Sequence, residues 1–296
     1  MRGRLPVLLA AIAVTVLALV VGWRAYQQPP DAGPEAGPEA GPAPGPSASA
    51  EPAAPPSATA VPKPADLPPS PRAGACHRMS YSDVVAPTAS QRDVPCDSRH
   101  TSVTYAVGEL DTVVGGHLVT VDSQRVRDQV ARVCPDRFAG HVGGTLEQRR
   151  LSLLRSVGFT PTVEQSDRGA NWFRCDAVAV AGRTTLATLD PRLAGVLGTD
   201  AGRLRYGLCA TAGPGTSGFR TVICSGAHSW QAVRTVTFDS DSYPGTAKVR
   251  DAGTRPCRAA GRAASGDALD FRWGYEWPTA EQWRDGRTYG ICWVPA

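Results

Sequence analysis

No serine of this 296-residue chain sits in G-x-S-x-G or S-x-x-K, and the chain contains neither H-E-x-x-H nor a glycine loop of the phosphate-cradling kind. No nucleophilic, zinc-hydrolase or nucleotide site is therefore announced by motif. None of the eight cysteines forms C-x-x-C and the five histidines are scattered, which removes the usual zinc spacings. Lysine is scarce: Lys63 and Lys248 are the only two, and arginine carries the remaining cationic charge. The formal net charge of +4 reads as spread along the chain, without the concentrated basic stripe of a nucleic-acid binder. No metal, no cofactor, no nucleic acid and no enzymatic reaction are expected.

What is present is a repetition built on cysteine. V-R-D-x-x-x-R-x-C runs from Val126 to Cys134 and again from Val249 to Cys257. P-T-x-E-Q with a cysteine ten residues on runs from Pro161 to Cys175 and again from Pro278 to Cys292. Cys-x-x-x-His joins Cys96 to His100 and Cys224 to His228. The cysteines thus form two quartets in one order, Cys76, Cys96, Cys134, Cys175 and Cys209, Cys224, Cys257, Cys292, the mark of an internally duplicated module. Such cysteines read as disulfides, and disulfides persist outside the cytoplasm.

The N-terminal region fits that placement. Leu5 to Trp23 is uncharged and apolar, about the ~20 residues that cross a hydrocarbon core, and Arg2 and Arg4 precede it. The expectation is a single membrane-spanning anchor through residues 5–23, with the N-terminus cytoplasmic and the remainder outside; a cleaved signal peptide is the rival reading. Pro29 to Pro71 holds more than half of the chain's 26 prolines and no aromatic residue, which predicts a disordered tether. The expected organisation is a stub and anchor over 1–28, a linker over 29–73, and two repeats over 74–185 and 186–296.

Each repeat is expected to be a small, mainly antiparallel sheet with one helix and a short capping helix, an α+β fold. Val126, Val130 and Cys134 recur every four residues after a cap at Asp122 or Ser123, and Pro135 is expected to stop that helix. Gly253 and Pro256 predict a weaker or shorter counterpart. Thr162 with Gln165 and Thr279 with Gln282 fit capping boxes, with Glu164 and Glu281 in the first turn. Joining helix cysteine to strand cysteine pairs Cys134 with Cys175 and Cys257 with Cys292, leaving Cys76 with Cys96 and Cys209 with Cys224. Four cysteines allow three pairings, and spacing does not choose among them.

Two sets of residues remain for function. His100 and His228 recur but are explained by backbone bonding in a loop. Phe271, Trp273, Tyr275 and Trp277 alternate along one expected strand face, either the core of the second repeat or an aromatic surface for a partner. His100, His228, Trp273 and Trp277 are the candidate binding residues, and no residue is assigned to catalysis.

With these residues assembled, the chain resembles the septum formation domain family of actinobacteria. The resemblance rests on Gly74-Ala75-Cys76, on Val94-Pro95-Cys96 with His100, on Cys134, and on Pro278-Thr279 through Trp283, Gly286 and Cys292. The family's Cys-x-x-Pro-His-x-x-Glu is partly kept: Arg99 and Ala227 replace the proline, and Val103 and Gln231 replace the acid. The resemblance implies a part in septum formation and no reaction. The partners expected are cell-envelope or divisome proteins, or peptidoglycan. The competing classes are a wall-acting enzyme and an envelope sensor.

Overall fold

The computed structural model describes residues 69–267 and 269–296. The expected anchor and most of the linker lie outside the described residues. Among those described, no helix is long and apolar enough to cross a membrane.

Two five-stranded antiparallel sheets carry the fold. The first comprises β1 (Cys76–His77), β2 (Asp93–Val94), β3 (Ser102–Glu109), β6 (Leu154–Phe159) and β7 (Trp172–Ala179), in the order β2-β1-β3-β7-β6. A small hairpin of β4 (Val113–Val114) and β5 (His117–Leu118) follows β3. The second sheet comprises β8 (Leu208–Ala210), β9 (Thr221–Ile223), β10 (Trp230–Thr237), β11 (Gly274–Glu276) and β12 (Tyr289–Pro295), in the order β9-β8-β10-β12-β11. Strand for strand the two orders are the same. The register agrees as well: Ala106 lies opposite Cys175 after a bulge at Tyr105, and Arg234 lies opposite Cys292 after a bulge at Val233.

Four bridges staple these sheets: Cys76–Cys96, Cys134–Cys175, Cys209–Cys224 and Cys257–Cys292. There is no free thiol among the described residues. In each half one bridge ties the first strand to the chain just beyond the second, and the other ties a helix to a strand of the sheet, β7 or β12.

The helix of the first half, α2 (Gln124–Val142), starts where Ser123 accepts from the Val126 amide. It buries Val126, Val130, Cys134, Phe138 and Val142, one residue per turn. It does not stop at Pro135, contrary to the local expectation. A proline inside a helix costs about 3 kcal/mol. Here the flanking residues are fixed by other means: Cys134 is bridged, Phe138 and Val142 lie in the core, and the Tyr105 hydroxyl donates to the Cys134 carbonyl at 2.6 Å. Burial of the following turn outweighs the lost backbone bond. In the second half the counterpart is divided into α6 (Thr246–Ala252) and α7 (Thr254–Ala264), meeting at Gly253. Pro256 falls in the first turn of α7, where a missing N–H costs little.

More helices are present than the one plus a cap expected per repeat. Short helices α1 (Tyr81–Val84), α3 (Leu146–Arg150) and α5 (Asp200–Tyr206) are additional. The two expected short ones are α4 (Val163–Asp167) and α8 (Ala280–Arg284), and both begin with capping boxes, Thr162 with Gln165 and Thr279 with Gln282. Gly169 and Gly286, with φ of 95° and 91°, turn the chain out of them, a backbone state that favours glycine.

The expected boundary at 185/186 does not coincide with a break in the packing. Leu189, Leu193, Leu197 and Tyr206 complete the core of the first sheet. Conversely, Leu153 is buried with Leu208, Ala210, Ala232, Ile291 and Trp293 of the second. The segment Leu151–Leu153 is bonded to both halves: the Leu153 amide donates to Tyr206, its carbonyl accepts from Val180, and the Leu208 amide donates to Leu151.

Candidate functional site

The sequence candidates do not converge. His100 is 1% exposed, and its Nδ1 is 2.8 Å from the Ser98 carbonyl. His228 is half-buried with the same backbone arrangement, Nδ1 at 2.8 Å from the Gly226 carbonyl. Both histidines therefore order a loop just before the long central strand of their sheet. Of the aromatic run, only Gly274–Glu276 is strand, shorter than expected because Pro278 leads directly into the capping box of α8. Trp273 and Tyr275 are half-buried against the core around Cys257 and Cys292. Tyr275 donates to the Val249 carbonyl at 3.0 Å, and burial pushes its phenol up to about 12. Trp277 alone stays open at 37% exposure. The aromatic face is mainly core.

A polar constellation missed in the sequence lies in the first sheet. Asp176, fully buried on β7, accepts from Ser102 at 2.7 Å and from Thr104 at 2.8 Å on the neighbouring β3. Because the Thr104 hydroxyl gives its proton to Asp176, it accepts from Nε2 of His77 at 3.0 Å. The other His77 nitrogen faces the Asp93 carboxylate at 3.6 Å. Arg174 Nε lies 3.1 Å from Asp176, its guanidinium sits over the Phe159 ring at 5.0 Å, and its Nη2 has no hydrogen-bond partner among the described residues. Burial and the Arg174 charge lower the His77 pKa, while Asp176 and Asp93 oppose them. Met79 and Val84 pack on this face with Phe159 and Val178, and His77, Ser102, Thr104, Arg174 and Asp176 are all buried, whereas Asp93 at the end is open to solvent. Its signal was the alternation Ser-x-Thr at 102–104 and Arg-x-Asp at 174–176: polar residues at period two, on one face of strands that are otherwise apolar.

The same five places in the second sheet are apolar. Counting from the bridged cysteines and the bulges, Ala210 stands where His77 stands, Trp230 for Ser102, Ala232 for Thr104, Ile291 for Arg174 and Trp293 for Asp176. That face is covered by Leu151 and Leu153.

A second difference is open to solvent. In the second half Trp283 of α8 is buried at 6% exposure beneath Phe238 and Tyr243, with ring centroids 5.7 and 5.8 Å away. The residue at that place in α4 is Ser166, and no aromatic side chain fills the space. A groove of about 390 Å³ remains, lined by Leu118, Val119, Val163, Ser166 and Asp167 among others. Leu118, on the β4–β5 hairpin, is 82% exposed and Val163 is 45% exposed, an apolar rim left without cover.

Among the described residues no group of three or more His, Cys, Asp and Glu side chains is placed to hold a metal ion. Nothing among the curated proteins or the solved structures matches the chain. A family model described as septum formation matches residues 73–292, from just before the first bridge to the last bridged cysteine. A match over that span covers all four bridges and both sheets as far as Cys292 of β12, and the chain belongs to the septum formation family.

Proposed function

We propose that the chain is a single-pass membrane protein that holds residues 74–296 outside the cytoplasm as a duplicated binding module in septum formation or envelope assembly. Family membership and the four bridges support that placement. Its partner is an envelope or divisome protein, or peptidoglycan, and it acts by binding.

The observation that carries the binding reading is the groove beside Ser166. One half seats Trp283 under two aromatic rings and the other offers the same place empty, with Leu118 and Val163 at its rim. An aromatic or aliphatic side chain of a partner fits where Trp283 fits in the second half. The closed position of the Asp176 to His77 chain favours binding over wall hydrolysis. Ser166→Trp tests this by filling the groove from within. A fluorescent fusion should gather at the septum of dividing cells as wild type and disperse as Ser166→Trp, with all four bridges intact in both. Normal septal recruitment of a folded Ser166→Trp protein defeats the reading.

A further inference from the structure

The chain's positive charge is not spread out as its sequence suggested. Helix α7 turns Cys257 and Gly261 inward, and its opposite side presents Arg255, Arg258 and Arg262, all exposed. Steps of three and four residues put the three guanidinium groups in one stripe. At 1.5 Å of rise per residue the stripe is roughly 10 Å long. Ala259 and Ala263 lie beside it in a shallow groove of about 600 Å³.

Among the described residues no acid pairs with these arginines, and none of them donates a side-chain hydrogen bond; Arg262 rests over the Phe271 ring at 5.4 Å. Neighbouring arginines are engaged, Arg250 with Asp251 and Arg287 with Glu276. Thr246–Ala264 holds five basic residues and Asp251 as its single acid, so this stretch alone equals the net charge of +4 of the whole chain. The corresponding places on α2 are Arg132, Pro135 and Ala139, so the stripe is not a product of the shared fold.

We propose that this stripe is a binding site for a linear polyanion whose charges are phosphate groups, a surface separate from the groove at Ser166. Three unpaired guanidinium forks in a row match phosphate oxygens by charge and by bidentate geometry. A phosphate chain carries its charges closely enough to meet two or three of them at once and releases counterions as it does. Apart from the arginines, the groove is lined by Thr254, Ala259 and Ala263. It lacks the aromatic or large aliphatic anchors of a protein interface and the apolar wedge of a helix that lies in a membrane surface.

The test uses the full-length chain with inorganic polyphosphate as probe, titrated over a series of salt concentrations. The triple variant Arg255→Gln, Arg258→Gln, Arg262→Gln should bind at least about tenfold more weakly, and its log–log salt slope should be shallower by roughly two to three. A control that removes equal charge elsewhere, Arg125→Gln, Arg132→Gln, Arg183→Gln, should keep most of the affinity. If the triple variant loses its fold, Arg258→Gln alone carries the comparison, with a slope change of about one. Equal losses in variant and control, or no loss in the variant, overturn the proposal. So does stripe-dependent binding of polyglutamate or of phosphatidylglycerol vesicles that matches or exceeds binding of polyphosphate. Septal recruitment is read in a different assay at a different surface, so either result can fail without the other.

Discussion

Tyr275 lies against Gly253 so closely that a Cβ on the glycine would sit 2.1 Å from the ring. At the equivalent places of the first half the sizes are exchanged: Gly158 is in the strand and Val130 in the helix, where a Cβ on Gly158 would meet Val130 at 2.3 Å. Each half meets one packing requirement with a large residue on one element and a glycine on the other. The solution differs, but the separation of helix and sheet, and with it the bridge beside each pair, is kept.

Gly253→Ala should therefore destabilise the protein by overpacking, by about 1–3 kcal/mol. Adding Tyr275→Phe, which removes the bond to Val249 and leaves the ring, should not restore it, whereas adding Tyr275→Ala should recover part of the loss. Urea denaturation of the parent, Gly253→Ala, Tyr275→Ala and their combination gives the coupling, and additive effects would dismiss the exchange as coincidence.

Asp176→Ala should cost about 3–5 kcal/mol, because it leaves Arg174 buried without its counter-charge and removes the acceptor of Ser102 and Thr104. Trp293→Ala, at the matching place of the second sheet, should cost a similar amount by a different mechanism, an unfilled cavity. Pairing Asp176→Ala with Arg174→Met separates the two: the second substitution should relieve much of the electrostatic cost, and a further loss would rule out an uncompensated charge as its source.

His77 makes stability depend on pH. Its folded pKa lies below the ordinary 6.5, chiefly because burial and Arg174 disfavour the imidazolium. The neutral ring is the form that the fold accepts, so its contribution is complete above the unfolded value and is lost as pH falls from there toward the lowered folded value. His141, lowered by burial, acts with the same sign. The urea midpoint should fall between about pH 7.5 and about pH 5.5, and His77→Gln should flatten part of that slope. An unchanged slope in His77→Gln would falsify the assignment.

The bridges should differ in worth by loop length. Removing Cys134–Cys175, whose cysteines are 41 residues apart, should cost about 4 kcal/mol, and removing Cys209–Cys224, 15 apart, about 3 kcal/mol. Paired Cys→Ala variants in thermal and urea unfolding give the comparison. Non-reducing peptide mapping of the parent should find four crosslinks, each inside its own quartet.

The parts of this fold that could be read early are the ones decided within a few residues. Thr162 with Gln165, Thr279 with Gln282, and Ser123 ahead of an apolar stripe are local contests between a side chain and a backbone amide, and the structure keeps all three. The cysteine pairing is a choice among three for each quartet, and the structure has the four bridges chosen. Pro135 misled because its local cost is outweighed by contacts with Cys175 and Tyr105, distant in sequence. The chain from Asp176 to His77 was hidden for the same reason, since four of its members meet only through the register of three strands. The groove beside Ser166 becomes visible only when the halves are compared in space, because a serine in a capping helix carries no sign of what is missing above it.

The strap Leu151–Leu153 also bears on how the molecule is made. The second sheet borrows its cover from a segment that leaves the ribosome well before any of its own strands, while the first sheet waits for Leu189 to Tyr206, its near neighbours downstream. Synthesis from the N-terminus thus delivers the cover before the surface it closes, and Ala232 and Trp293 pack with Leu153 in the folded chain. The reverse order of the two halves, as in a circular permutant beginning at Gly207, would bring that apolar face out bare and hold it so until the rest of the chain arrived. Chain order thus places the cover of the second sheet ahead of the strands that it covers.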